Sequence, residues 1–259
     1  MNRVAATRRG TLGSMSRPVA HLVVVLLLAA LLAAAFRQSA YDFHWEGVWE
    51  YRQKFLSGWL TTVGMSLASL VLSSVFGLLA AIGLGSRFPL VEALARVYVE
   101  LVRGTPLLVQ LLIGFYVVAT AVGLENRYVV GVLVLSLFSG AYMAEIFRGG
   151  LAAIPAGQRD AARAIGLTPW QSLRLVILPQ AVRIVLPPVA GQLVSLVKDS
   201  SLLSVIAVSE FTLAAQEVNS FTYSTLECYL PLAIGYLLLT LPLSALSRFL
   251  ERRFAWEAG

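Results

Sequence analysis

Long apolar runs alternate with short charged ones along this chain, and the alternation predicts its elements. Pro18 to Phe36 is almost wholly apolar and follows Arg3, Arg8, Arg9 and Arg17. Such a run can cross a bilayer as a helix of about 20 residues. It exceeds the roughly 7–15 apolar residues of a cleaved signal peptide, the rival reading. It is therefore read as an uncleaved first span, 18–36, behind a basic cytoplasmic tail, 1–17. In the next segment, 37–55, Trp45, Val48, Trp49, Arg52 and Phe55 recur at three- and four-residue spacing. That spacing fits a short interfacial helix with its tryptophans at headgroup level, or else a loop with aromatic anchors.

The second span is read as Leu56 to Leu84. Ser73, Gly77, Ala81 and Gly85 fall on every fourth position and would let a neighbouring helix approach closely. A third span runs from Leu107 to Val122, with Thr105 as its cap and Pro106 in its first turn. A fourth covers Val129 to Phe147, a fifth Val189 to Val208, and a sixth Cys228 to Phe249, closed by Arg248, Arg252 and Arg253. The expectation is an all-α integral membrane protein of about six transmembrane helices, with its body at 56–249 and a short cytoplasmic tail at 250–259.

Composition supports a membrane solvent. The chain is 58% hydrophobic and 13% charged, where a soluble domain is about a quarter charged. The net charge of +6 would suggest nucleic acid in a soluble protein. Here the arginines gather in alternate loops, as they do on the cytoplasmic side of membrane proteins, so the partner implied is the lipid bilayer and not nucleic acid. Both termini are then expected inside. Cys228 is the single cysteine, and His21 and His44 lie at the edges of the first run, so no metal spacing occurs.

One stretch breaks the pattern. Gly157 to Pro188 carries Arg159, Asp160, Arg163, Arg174 and Arg183, yet still reads as helical. Gln158 to Ile165 forms one short helix, and Gly166 suits the left-handed residue that ends it. Thr168 caps a second helix with Pro169 in its first position and Gln171 completing a capping box. Trp170, Leu173 and Ile177 form its apolar stripe, and Leu178-Pro179 is read as its end. Two short helices joined at one glycine make a stiff cytoplasmic knob. The plainer reading is a solvated amphipathic connector.

Asp160-Ala161-Ala162, Gly166 and Ile177-Leu178-Pro179 resemble the EAA loop of ABC-transporter permease subunits. Arg103-Gly104-Thr105-Pro106, Ala141-Tyr142-Met143-Ala144-Glu145, Gly157-Gln158, Leu178-Pro179-Gln180-Ala181 and Lys198-Asp199-Ser200-Ser201-Leu202 are similar to the polar amino-acid (histidine/glutamine/arginine/opine) importers. The resemblance runs from about Phe55 to Phe249. It implies a type I ABC importer-like fold whose loop, at about 150–187, docks on a separate ATPase through Gln158, Asp160, Ala161, Ala162, Gly166, Leu167, Thr168 and Trp170. The family usually has Glu where this chain has Asp160, and often Asn near Gln192. The first span is extra to the common five-span plan.

A charge at the bilayer centre costs roughly 2.5–3.5 kcal/mol on insertion scales, so intramembrane charges normally face a cavity or a partner helix. Lys198 and Asp199 fall in the middle of the expected fifth span, and Gln192, Ser195 and Asp199 share one helix face. With Ser200 they are candidates for a polar solute route; a zwitterion needs both a cation and an anion. The alternative is a helix break that these side chains satisfy. Arg103, paired with Glu100, and Glu145, bracing the knob, are further candidates.

No GxxxxGK[ST] loop and no nucleophile–His–acid set occurs. The chain is therefore expected to bind no cofactor and to hydrolyse no ATP. The resemblance implies that two ABC ATPase subunits use ATP and Mg, that a second permease (the same chain or a paralogue) completes the pathway, and that an extracytoplasmic solute-binding protein delivers solute at the bacterial inner membrane. The competing functions are an ion-coupled secondary transporter and a non-transporting membrane scaffold.

Overall fold

The computed structural model describes residues 43–254 without a break and, before them, helical positions 19, 20, 22–24, 26, 27, 30, 31 and 34. The tail 1–17, the ends of the expected first span, residues 37–42 and the last five residues lie outside the described residues. The chain divides into two units, Met1–His44 and Trp45–Gly259. In the first, the described valines and leucines are helical and exposed, an apolar surface suited to lipid.

The second unit is helical throughout, with no strand among the described residues. It opens with α1 (Trp45–Glu50) and α2 (Arg52–Leu84), followed by α3 (Pro89–Gly104) and α4 (Leu107–Ile113). α4 runs on as a π-helix through Gly114–Ala119, and α5 (Arg127–Ala152) follows. α6 (Ala156–Ala164), α7 (Pro169–Ser172) and a π-helical turn, Leu173–Ile177, lead into α8 (Leu178–Asp199). A 3-10 segment, Ser200–Ile206, then α9 (Phe211–Thr222) and α10 (Thr225–Phe254) complete it. Among the described residues, four stretches are long and apolar enough to cross a membrane: Arg52–Leu84, Arg127–Ala152, Pro169–Ile206 and Thr225–Phe254. α3 and α4 pass the same length and apolarity test as a pair, bent by 110° at a short break, which makes them a broken fifth span or a re-entrant loop.

The third span thus differs from its expected form, a single helix from Leu107. Thr105 belongs to the bend: its hydroxyl donates back to the Leu101 carbonyl at 2.8 Å and caps nothing in α4. Gln110 closes the corner, its Nε2 donating to the carbonyls of Val102 at 2.7 Å and Thr105 at 3.1 Å. These bonds satisfy backbone that the break would leave bare in lipid. The interfacial helix is also shorter than expected, since Arg52 and Phe55 belong to α2.

α2 and α5 form the central crossing, with α8 against both, α10 against α8, and α9 against α2 and α10. The expected small-residue stripe is present but rotated. The buried face of α2 runs through Thr62, Ser66, Ser69, Ser73, Gly77 and Ala80, while Gly85 is exposed. A strict four-residue repeat drifts by about 40° per step on a helix of 3.6 residues per turn, so Ala81 and Gly85 leave the seam that Ala80 keeps. At Gly77 a Cβ would lie 2.3 Å from Met143 Cβ and 3.0 Å from the Ala144 nitrogen. At Gly140 a Cβ would lie 2.9 Å from Phe76 Cβ and 2.8 Å from the Tyr98 hydroxyl. The two glycines set the helix separation.

Pro179 does not end the helix. α7, the π turn, α8 and the 3-10 segment form one run of 38 residues, Pro169–Ile206. The π turn shifts the hydrogen-bonding register just ahead of Pro179, which lies in the first turn of α8, so its missing N–H breaks no ladder. Pro187 and Pro188 lie inside α8, where Ser247 of α10 donates to the Pro187 carbonyl at 3.1 Å. The expected fifth span, 189–208, is the far half of this rod.

Gly77→Ala should destabilise the protein by about 1–3 kcal/mol, since backbone must move to admit the methyl. Gly64→Ala on the same helix, with nothing within 4 Å, should be neutral or stabilising. Thermal unfolding in detergent compares the two.

Candidate functional site

The knob forms as its residues dictate. α6 ends in a Schellman arrangement: Leu167 N–H donates to the Ala162 carbonyl at 3.1 Å and Gly166 N–H to that of Arg163 at 2.9 Å. Gly166 has φ +83, which glycine adopts without strain. Thr168 and Gln171 make the full capping box, with Gln171 N–H donating to Thr168 Oγ1 at 3.3 Å and Thr168 N–H to Gln171 Oε1 at 2.9 Å. Arg159 ties α6 back to α5 through the Leu151 carbonyl at 3.2 Å. Ala162 is buried, and Ile154, Ile177 and Ala181 form a small core beneath the knob. Ile165 and Trp170, on either side of Gly166, are 76% and 67% exposed. Gln158, Asp160, Ala161, Leu167 and Thr168 share the same compact elbow, and none of these five is buried.

The polar stripe converges as a site. Gln192, Ser195, Lys198 and Asp199 line one cavity of about 350 Å³ with Phe138 and Tyr142 of α5. Gln192 Nε2 donates to Ser139 Oγ at 3.0 Å and fixes α8 against α5 there. Lys198 and Asp199 are the last residues of α8, where the helix tightens into the 3-10 segment within the same apolar run. The expected helix break is thus a tightening of the helix, and it coincides with the polar cavity. Ser200 is buried and donates to the Val197 carbonyl at 2.9 Å, outside the cavity lining.

A second cavity, of about 700 Å³, lies nearer the knob between α3 and α5. It is lined by Arg96, Glu100, Arg103, Tyr142, Glu145 and Arg148, among others. Arg103 does not pair with Glu100. It reaches Glu145 across the helix interface at 4.0 Å, while Arg148 holds the same carboxylate at 2.6 Å. The guanidinium of Arg103 also lies 5.5 Å from the Tyr142 ring centroid. Glu145 therefore joins α3 to α5.

Sequence reasoning missed Phe138, Ser139 and Tyr142 as site residues. Phe138, Tyr142 and Glu145 recur at spacings of four and three on one face of α5, a signal masked by the surrounding apolar run. It also missed Glu210, fully buried in the connector between two spans. Glu210 caps α9, accepting from the N–H groups of Thr212 and Leu213 at 2.8 Å each, and from the hydroxyls of Tyr236 at 3.1 Å and Thr62 at 3.4 Å. Burial pushes its carboxyl above the ordinary range, and these hydrogen bonds pull against that shift.

The family described as the binding-protein-dependent transport system inner membrane component matches residues 73–256. The chain belongs to that family. Binding-protein-dependent permeases of this kind are the membrane part of a transporter and carry no ATPase site of their own. Membership makes this chain a transport subunit of the inner membrane that works with an ATPase and a solute-binding protein. The glutamine transport system permease protein GlnP of Escherichia coli (strain K12) is 36% identical over 214 residues, 82% of this chain and 98% of that one. The arginine transport system permease protein ArgU of Corynebacterium glutamicum is 31% identical over 252 residues, 92% of this chain and 80% of that one. The crystal structure of an amino acid ABC transporter with histidines matches at 34% identity and a TM-score of 0.76, covering 82% of this chain and all of that one.

Gln192→Leu should cost about 1–3 kcal/mol of stability, because it leaves the buried Ser139 hydroxyl without its donor. Ser195→Ala should be silent by the same thermal assay, its hydroxyl having no partner among the described residues.

Proposed function

We propose that this permease carries polar amino acids inward, as one of two membrane subunits whose motion is driven by two separate ATPases that use ATP and Mg. The other membrane subunit is a second copy or a paralogue, and an extracytoplasmic binding protein supplies the solute. The observation that carries this reading is the single helical run Pro169–Ile206: its first turn is the second helix of the knob, and Gln192, Ser195, Lys198 and Asp199 in its far half line the polar cavity. Displacement of one end of a stiff helix reaches the other.

In this reading the knob faces the cytoplasm, with both termini on that side. Gln158, Asp160, Ala161, Ala162, Gly166, Leu167, Thr168 and Trp170 fit a groove of the ATPase, and Ile165 and Trp170 supply its apolar contact. The shorter Asp160 keeps the charge of the usual Glu. At the cavity, Lys198 receives the solute carboxylate and Asp199 its ammonium group, while Gln192 and Ser195 offer neutral hydrogen bonds. The names of GlnP and ArgU, together with the histidine-bearing transporter structure, support a polar amino acid as cargo.

The test is uptake by proteoliposomes holding the whole complex, given labelled L-glutamine, L-arginine and L-histidine with the binding protein outside and ATP inside. ATP-dependent uptake of at least one is expected. Trp170→Asp should lower uptake and solute-stimulated ATP hydrolysis at least tenfold while the chain still inserts. Uptake that persists without ATP and collapses with a proton ionophore would instead mark an ion-coupled carrier. No flux of any solute would leave a scaffold.

A further inference from the structure

The polar cavity and the charged cavity lie one behind the other along α5. Among the described residues, Tyr142 alone lines both. Its ring is gripped from two directions. Phe138, one turn away, packs at 5.2 Å between centroids, and Arg103 of α3 lies over the ring at 5.5 Å. The backbone beneath is fixed, since Ala141, Met143 and Ala144 are fully buried against neighbouring helices. Only the side chain can move. Nothing holds its hydroxyl among the described residues, whereas the hydroxyl of nearby Tyr98 is anchored to the Leu137 carbonyl at 2.6 Å.

The latch on this ring is itself loosely committed. Among the described residues Arg103 has one carboxylate within ion-pair distance, Glu145 at 4.0 Å, and that carboxylate is already held by Arg148 at 2.6 Å. A guanidinium in this position binds a free carboxylate in a bidentate fork more strongly than it binds an aromatic face. We infer that the Tyr142 ring is a partition between the two cavities, and that a solute carboxylate entering from the polar cavity opens it by drawing Arg103 off the ring. The carboxylate passes from Lys198 to Arg103, and the ring swings aside between those two contacts. This rests on the amino-acid importer reading for the identity of the solute; the partition itself rests on the geometry of the two cavities. It adds a selection step: a solute with the right side chain but no carboxylate meets a closed ring.

Thiol accessibility tests it. In a Cys228→Ser background, Ser195→Cys puts a single thiol in the polar cavity. Inside-out vesicles carrying the full-length chain with its partner subunits are treated from the knob side with a charged, membrane-impermeant methanethiosulfonate. Modification should be slow, and Tyr142→Ala should speed it at least tenfold while Tyr142→Phe keeps it slow. Arg103→Gln should speed it at least threefold. L-arginine enclosed in the vesicle lumen, on the polar-cavity side, should accelerate labelling behind the native ring, and agmatine, the same molecule without its carboxylate, should not. Equal labelling with and without Tyr142→Ala overturns the partition, and agmatine acting as well as arginine overturns the carboxylate trigger. If Tyr142→Ala fails to accumulate in the membrane, the Arg103→Gln rate decides. ATP-driven uptake is measured separately, with the unsubstituted chain and its partner subunits in right-side-out proteoliposomes that have the binding protein outside and ATP inside: its absence beside ring-dependent labelling would count against the importer reading and leave the partition standing.

Discussion

The close approach of α2 and α5 is the constraint on which the rest depends. In lipid there is no hydrophobic drive to press two apolar helices together, so packing distance decides the contact. Gly77 lets α2 lie against Met143 and Ala144, and Gly140 lets α5 lie against Phe76. With that separation fixed, the opposite face of α5 presents Phe138, Tyr142 and Glu145 at a defined depth. α8 then docks through Gln192 and Ser139, and α3 through Arg103 and Glu145. A wider crossing would disperse both contacts at once.

Much of this was legible from residue order. The capping box at Thr168, the left-handed Gly166 and the polar stripe on α8 follow from local stereochemistry that lipid does not alter, and each is present. What escaped was anything depending on how prolines are accommodated. Pro179 reads as a stop because an α-helix cannot spare the N–H it removes. A π turn just ahead of it changes which carbonyls need donors, and no residue in Leu173–Ile177 advertises that turn. Thr105-Pro106 reads as a helix start for the same reason, although it is the bend between two helices that pair, α3 and α4. Arg103 found its partner on another helix, which spacing within one helix cannot reveal.

The chain also divides its polar groups by task. Glu210, Thr62 and Tyr236 are sealed inside and spend their hydrogen bonds on one another and on the start of α9. That network joins α2, α9 and α10 at a connector and offers little to a passing solute. Lys198, Asp199, Arg103 and Glu145 border open space instead. Burial with full satisfaction braces a fold, whereas burial beside a cavity leaves charge available.

The unbroken helix from knob to cavity fixes a rotational phase as well as a distance. Each residue added or removed between Leu178 and Gln192 would turn the cavity face by about 100° relative to Trp170. Exposed side chains along that stretch can change, whereas Ala181 and Pro187 are held by packing, and its length cannot change, because a one-residue slip would turn Lys198 and Asp199 out of their cavity while the elbow kept its place.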